Sequence, residues 1–151
     1  MFAFIIRYLG FLKHVPGLAH IFDAMLRFFT LLFNPKLLIV IDDIEAEVGH
    51  WPDIVIHTHK YGGLQFDIYG KELGHIHSNG LLDMPFSKAI KQQLMADDRR
   101  VNDHHSFINS GWISFYMNHT DDKILAIQLF KINYQRLKKH EQENITAHAS
   151  L

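Results

Sequence analysis

The chain has no cysteine. Disulfides, thiolate nucleophiles, zinc ribbons and iron–sulfur clusters are therefore excluded. Neither sign of charge is in excess: fifteen Lys and Arg stand against sixteen Asp and Glu, a formal net charge of −1. No global field recruits nucleic acid or acidic partners, so a nucleic-acid partner is not expected. Proline is scarce, four in 151 residues, and no apolar run spans a membrane cleanly. A transmembrane helix needs ~18 or more consecutive apolar residues, and Arg7, Lys13, Pro16, Asp23 and Arg27 interrupt the greasiest stretch. P-loop, dinucleotide and His-Glu-x-x-His motifs are missing. Ser110 has no Gly-x-Ser-x-Gly elbow around it, which argues against a serine hydrolase.

What is present is the composition of one globular domain, 48% hydrophobic and 21% charged. Its anomaly is twelve histidines. Histidine is a proton carrier near neutral pH and the commonest metal ligand, so this excess has chemical content.

Aromatic residues and charge divide the chain. Residues 1–35 hold seven of the twelve Phe, and Arg7, Lys13 and Arg27 against Asp23 make them +2, leaving −3 for residues 36–151. This lead reads as two short helices broken at Pro16–Gly17. In the second, Leu18, Ile21, Phe22, Met25, Phe28, Phe29, Leu32 and Phe33 recur at helical spacing. A secretory signal is the weaker reading, since apolar residues precede the first charge and Gly17–Ala19 is a faint cleavage site. Such a helix suits a membrane interface, the domain's own core or a second copy of the chain. The expectation is a cytoplasmic protein, with peripheral membrane association and homo-oligomerisation as the alternatives for this segment.

Residues 36–140 read as the domain. Asn34 as cap and Pro35 at the first helical position open a helix that Gly49 closes. Period-two alternation over Asp53–Lys60, Leu64–Tyr69, Glu72–Ser78 and Leu81–Phe86 predicts four strands, joined by turns at Gly62–Gly63, Gly70–Lys71 and Asn79–Gly80. Ser87 caps a helix through about Ala96, and Trp112–Asn118 is a fifth strand. The last helix starts at Thr120 or Asp121, with Ile124, Ile127, Phe130, Tyr134 and Leu137 as its inward stripe. Residues 141–151 are polar and expected to fray. The fold class is α+β: an antiparallel sheet of about five strands, helices packed on one face, and an N-terminal hydrophobic helical segment.

Alternation puts His57 and His59 on one strand face and His75 and His77 on another. The second pair is the more informative, because the following turn brings Asp83 back beside it. His104 and His105 supply further imidazoles ahead of Ser110-Gly111-Trp112. Imidazoles with a carboxylate can act as base and orienter around an organic substrate, or bind a divalent transition metal. In the cofactor-free reading, His75, His77 or His105 is the base and Asp83 orients it. Trp112 and Phe66 exclude water, and Ser110 and His59 line the same small-molecule pocket. In the metal reading the candidate ligands are His75, His77 and His105. No cofactor is expected in the first case and a divalent metal in the second. Asp42-Asp43 and Asp121-Asp122 read as exposed helix-end charges.

Several motifs in register resemble one family. His59-Lys60-Tyr61-Gly62-Gly63-Leu64-Gln65-Phe66, Glu72-Leu73-Gly74-His75-Ile76-His77, Gly80-Leu81-Leu82-Asp83-Met84-Pro85-Phe86, and His104-His105 followed by Ser110-Gly111-Trp112-Ile113-Ser114-Phe115 are similar to the luciferase-domain family. That family includes fungal luciferases and many uncharacterised bacterial proteins. The likeness spans roughly residues 36–138. It implies that His75, His77, Asp83, His104, His105 and Trp112 fall on shared motifs. It also implies an activity class, addition of O2 to an electron-rich hydroxypyrone without flavin or ATP, although light emission needs a special luciferin and does not carry over. Ile108 departs from the pattern, which has Pro there. The His-x-His followed by an acid also resembles part of a cupin metal site, but Asp83 comes late and the second cupin motif is missing.

Overall fold

The computed structural model describes residues 18–149. The first helix expected for the lead and its break at Pro16 lie outside them. Helix α1 (Leu18–Phe33) and helix α2 (Pro35–Gly49) are followed by strands β1 (Ile54–Thr58), β2 (Leu64–Ile68), β3 (Lys71–Ile76) and β4 (Leu81–Pro85). Helix α3 (Lys88–Asp97), strands β5 (Val101–Asp103) and β6 (Trp112–Tyr116) and helix α4 (Asp122–Ala149) complete the order. Six strands form one antiparallel sheet in the order β1-β2-β3-β4-β6-β5. The fold is α+β, as the sequence pattern predicts. The strand missed is β5, three residues long and too short to show a period.

One face of the sheet is the core. Phe66, Leu73, Ile76, Leu82, Met84, Ile113 and Phe115 pack against Val40, Ile41, Ile44 and Val48 of α2 and Ala126, Leu129, Phe130 and Leu137 of α4. Phe66 therefore belongs here, fully buried with its ring 4.8 Å from Phe130, and not to a substrate pocket. Alternation turns it away from its neighbour Gln65, which lies opposite His75.

Other expectations need correcting. Asn34 makes no capping bond; its amide Nδ2 donates to the Asn118 carbonyl at 3.4 Å. Ser87 does cap α3, accepting from the Ile90 N–H at 3.2 Å. The inward stripe of α4 is Ala126, Leu129, Phe130, Asn133 and Leu137, while Ile124 is exposed. Asn133 explains the shift. A bulge at Phe66/Asp67 puts one extra residue, Leu73, into β3, since Phe66 pairs with Gly74 and Asp67 with Glu72. The Leu73 carbonyl is taken by Asn133 Nδ2 at 2.7 Å. A buried polar residue thus holds a stripe position that a hydrophobic pattern skips. Finally, α4 continues to Ala149, through residues expected to fray; Lys71 approaches Glu141 at 3.7 Å along this extension.

Candidate functional site

The opposite face carries polar residues in a single transverse row. Register pairs His57 with Gln65, Gln65 with His75, His75 with Asp83, Asp83 with Ser114 and Ser114 with Asn102. Directly opposed residues on adjacent strands share a face and lie close together. The row brings together residues far apart in sequence because the meander is antiparallel and β6 docks beside β4.

His75 is its centre. The β3 bulge puts Glu72, three positions earlier, on the same face, where regular alternation would turn it away. Glu72 Oε1 lies 2.5 Å from His75 Nδ1, and Asp83 Oδ2 lies 3.6 Å from Nε2. Burial alone would lower the His75 pKa, but the Asp83 and Glu72 carboxylates outweigh it and the net shift is upward. Asp83 is fully buried. Burial pushes its carboxyl up, yet the His75 and Ser114 interactions and the nearby imidazoles bring it below the usual range.

The two oxygens of Asp83 differ. Oδ1 accepts a hydrogen bond from Ser114 Oγ. Oδ2 has no partner within hydrogen-bond distance, although three imidazole Nε2 atoms surround it, His75 at 3.6 Å, His77 at 3.8 Å and His104 at 3.7 Å. A buried carboxylate oxygen without a partner is uncommon and calls for an occupant or a role.

His104 arrives from the loop after β5. Its Nδ1 accepts from the Ser106 and Phe107 backbone N–H groups at 3.1 and 3.2 Å. The neutral ring therefore carries its proton on Nε2, aimed at Asp83. Buried Lys91 holds this loop by donating from Nζ to the Ile108 and Ser110 carbonyls at 2.7 and 3.0 Å while pairing with Asp103. His105 is exposed but stacks on His104 at 4.3 Å.

His59 comes from the β1–β2 turn. A Cβ on Gly63 would lie 2.2 Å from the Ile76 carbonyl oxygen, and its φ is +85°, so glycine alone lets this turn close on the end of β3. The His59 ring stacks on His75 at 3.9 Å and 9°, and its buried Nδ1 has no partner. Burial, aided by His75 and His77, brings His59 down to about 3. Burial, with His75 beside it, brings His77 down to about 4. Burial likewise lowers His104. The cluster thus combines an ionised carboxylate and a proton-favouring His75 with imidazoles held neutral.

Trp112 is half-buried, with its ring 5.8 Å from His75, 5.6 Å from His104 and 5.9 Å from Phe107. Gly111 seats it: a Cβ there would lie 1.7 Å from the Phe86 carbonyl oxygen. Ser110 serves the turn, donating to the Phe107 carbonyl at 2.6 Å and accepting from the Trp112 N–H at 3.1 Å. His57 sits at the row's outer end, paired with Asp67 at 2.8 Å and partly exposed. From α1, Asp23 reaches the rim and accepts from Ser78 N–H and Oγ at 3.2 and 2.8 Å. The sequence reading missed Glu72, Ser114 and Lys91 as site residues. Ser114 was findable, two positions after Trp112 on the same strand face.

Two groups could hold a metal ion: His59, His75 and His77, and separately Asp83, His104 and His105, each with ligand atoms within 4.8 Å of one another. One feature opposes each. Rings stacked in parallel, as in His59 and His75, cannot both aim a lone pair at one ion without turning. The His104 tautomer also puts a proton, not a lone pair, on Nε2. The imidazoles do meet, ring against ring. Among the described residues, shallow clefts lie along the end of α4 and at the Asn34 bend.

The Luciferase domain family model matches residues 70–133, which contain every member of the cluster except His59. No curated protein and no solved structure matches the chain.

Proposed function

With residues 70–133 assigned to the luciferase-domain family, we propose that this protein binds a small, acidic, enol-type aromatic molecule against the histidine cluster and promotes its oxidation by O2 without a bound cofactor. The observation that carries the reading is Asp83 Oδ2, buried without a partner and ringed by three imidazoles. The ligand gives its proton to His75, whose protonated form Glu72 and Asp83 favour. Its anion is then balanced by that imidazolium and by the Nε2–H of His104. Two electrons of the anion form the new bond to O2, and the imidazole returns its proton to the peroxide oxygen. No external reductant is needed. Trp112 and Phe107 provide the apolar wall.

The test uses 4-hydroxy-6-methyl-2-pyrone as probe, with binding followed by NMR and O2 consumption by electrode in EDTA-treated protein. Binding and uptake that disappear in His75→Ala and His104→Ala, with circular dichroism unchanged, support the reading. Uptake unaffected by either substitution removes it.

A divalent-metal centre is the second reading. It is favoured by the two groups with metal-ligand spacing and by one buried atom without a partner in each, His59 Nδ1 and Asp83 Oδ2. Elemental analysis of protein purified without a His tag decides between them. Stoichiometric Zn, Fe, Ni or Mn lost on His77→Ala favours the metal.

A further inference from the structure

Helix α1 is amphipathic in the wrong sense for a helix that serves only its own domain. Its body-facing side carries Asp23, bonded to Ser78, together with buried Thr30 and half-buried Phe22 and Leu26. The opposite side carries Ile21, Met25, Phe28, Phe29 and Leu32 at helical spacing, all exposed, and Phe33 at its end is 80% exposed. Stable helices of water-soluble domains bury the apolar side and expose the polar one. Here the carboxylate is turned in and the aromatic rings are turned out.

Charge identifies what covers those rings. Residues 1–36 contain four cations, Arg7, Lys13, Arg27 and Lys36, and one acid, Asp23. That acid is engaged at Ser78, so the outward side carries no anion, whereas Arg27 on the polar flank of α1 and Lys36 at the start of α2 are both exposed. Lys36 also lines, with His119, the polar cleft at the Asn34 bend. The helix does not continue into a span. The chain bends by 119° between α1 and α2, no single described helix is long and apolar enough to cross a membrane, and α2 is committed to the core through Val40, Ile44 and Val48.

The geometry points to α1 as a helix that lies in the interface of a phospholipid membrane containing anionic lipid. Its Phe and Leu side chains enter the acyl boundary, and Arg27 and Lys36 meet the headgroups. The Asp23–Ser78 bonds then tie the docked helix to the turn that begins at His77. Docking through α1 therefore fixes how the histidine-bearing face is oriented relative to the bilayer. This inference goes beyond the proposed function, since docking holds whether or not the cluster turns a ligand over.

The experiment is co-sedimentation of the full chain with vesicles of phosphatidylcholine alone or mixed with phosphatidylglycerol, at low and physiological salt. Binding to the mixed vesicles is expected, weaker on neutral vesicles and at higher salt. Phe28→Asp with Phe29→Asp should reduce it on the order of tenfold or more, because two apolar contacts become anions at an anionic surface. If that variant loses its circular dichroism signal, Arg27→Glu with Lys36→Glu replaces it, with loss of the phosphatidylglycerol preference expected. No binding by the unaltered chain overturns the proposal. So does binding unchanged in the Phe variant, which assigns it to residues 1–17. A dimer in sedimentation velocity that the Phe variant dissolves also overturns it, by assigning the face to a second copy.

Discussion

The two faces of the sheet are built from the same strands and obey different rules. The core face is filled by Phe66, Leu82, Met84, Ile113 and Phe115, each satisfied by contact alone. The histidine face buries His59, His75, Asp83, His104 and Ser114, and leaves Asp83 Oδ2 and His59 Nδ1 without partners. Burying polar groups in this way costs stability unless every donor and acceptor is paired. One face holds the molecule together, and the other is maintained at its expense.

The sharpest way to break that contrast is to truncate one residue from each side. Phe66→Ala should cost ~3–5 kcal/mol in urea unfolding, the range for deleting a buried aromatic ring. His77→Ala should cost about 1 kcal/mol or less by the same measurement, since it removes no core contact. Comparable losses would mean that both faces are structural. Asn133→Leu tests the buried amide under the bulge: leaving the Leu73 carbonyl unpaired should destabilise by ~1–3 kcal/mol despite the added apolar group. A neutral result would show that water reaches the bulge.

Asp122, expected as an exposed helix-end charge, is buried; Asp122→Ala should cost ~1–3 kcal/mol, because its carboxylate accepts from the Asn118 and His119 N–H groups at 2.8 and 2.9 Å and from Arg100 at 3.0 Å. Thermal melts would show it. The smallest effect belongs to His57, whose pKa the Asp67 hydrogen bond raises above 6.5. Because the folded-state value is the higher one, the pair's stabilisation is complete below 6.5 and is lost as pH rises through the folded value. Proton NMR should find His57 titrating above 6.5 and moving down in Asp67→Asn. An unchanged midpoint would dissolve the pair.

The strands of the meander, the α3 cap and the convergence of His75, His77 and Asp83 were legible because they rest on local signals: alternation, turn glycines and a Ser at a helix start. Phe66 was read as an apolar wall of the pocket, whereas alternation puts it on the face away from Gln65 and His75. Glu72 was invisible, since only an irregularity in strand pairing puts it beside His75. Asn133 was passed over because a search for apolar periodicity has no place for an amide.

That irregularity has a consequence of its own. Leu73, inserted without an opposite number, is the reason an acid three positions away can govern an imidazole. Deleting Leu73 would leave Glu72 two positions from His75 and still on its face, at the loss of a fully buried leucine. Lengthening β2 by one residue opposite Leu73 would instead restore regular alternation and turn Glu72 away. The proton balance of His75 is therefore held by the length of the neighbouring strand.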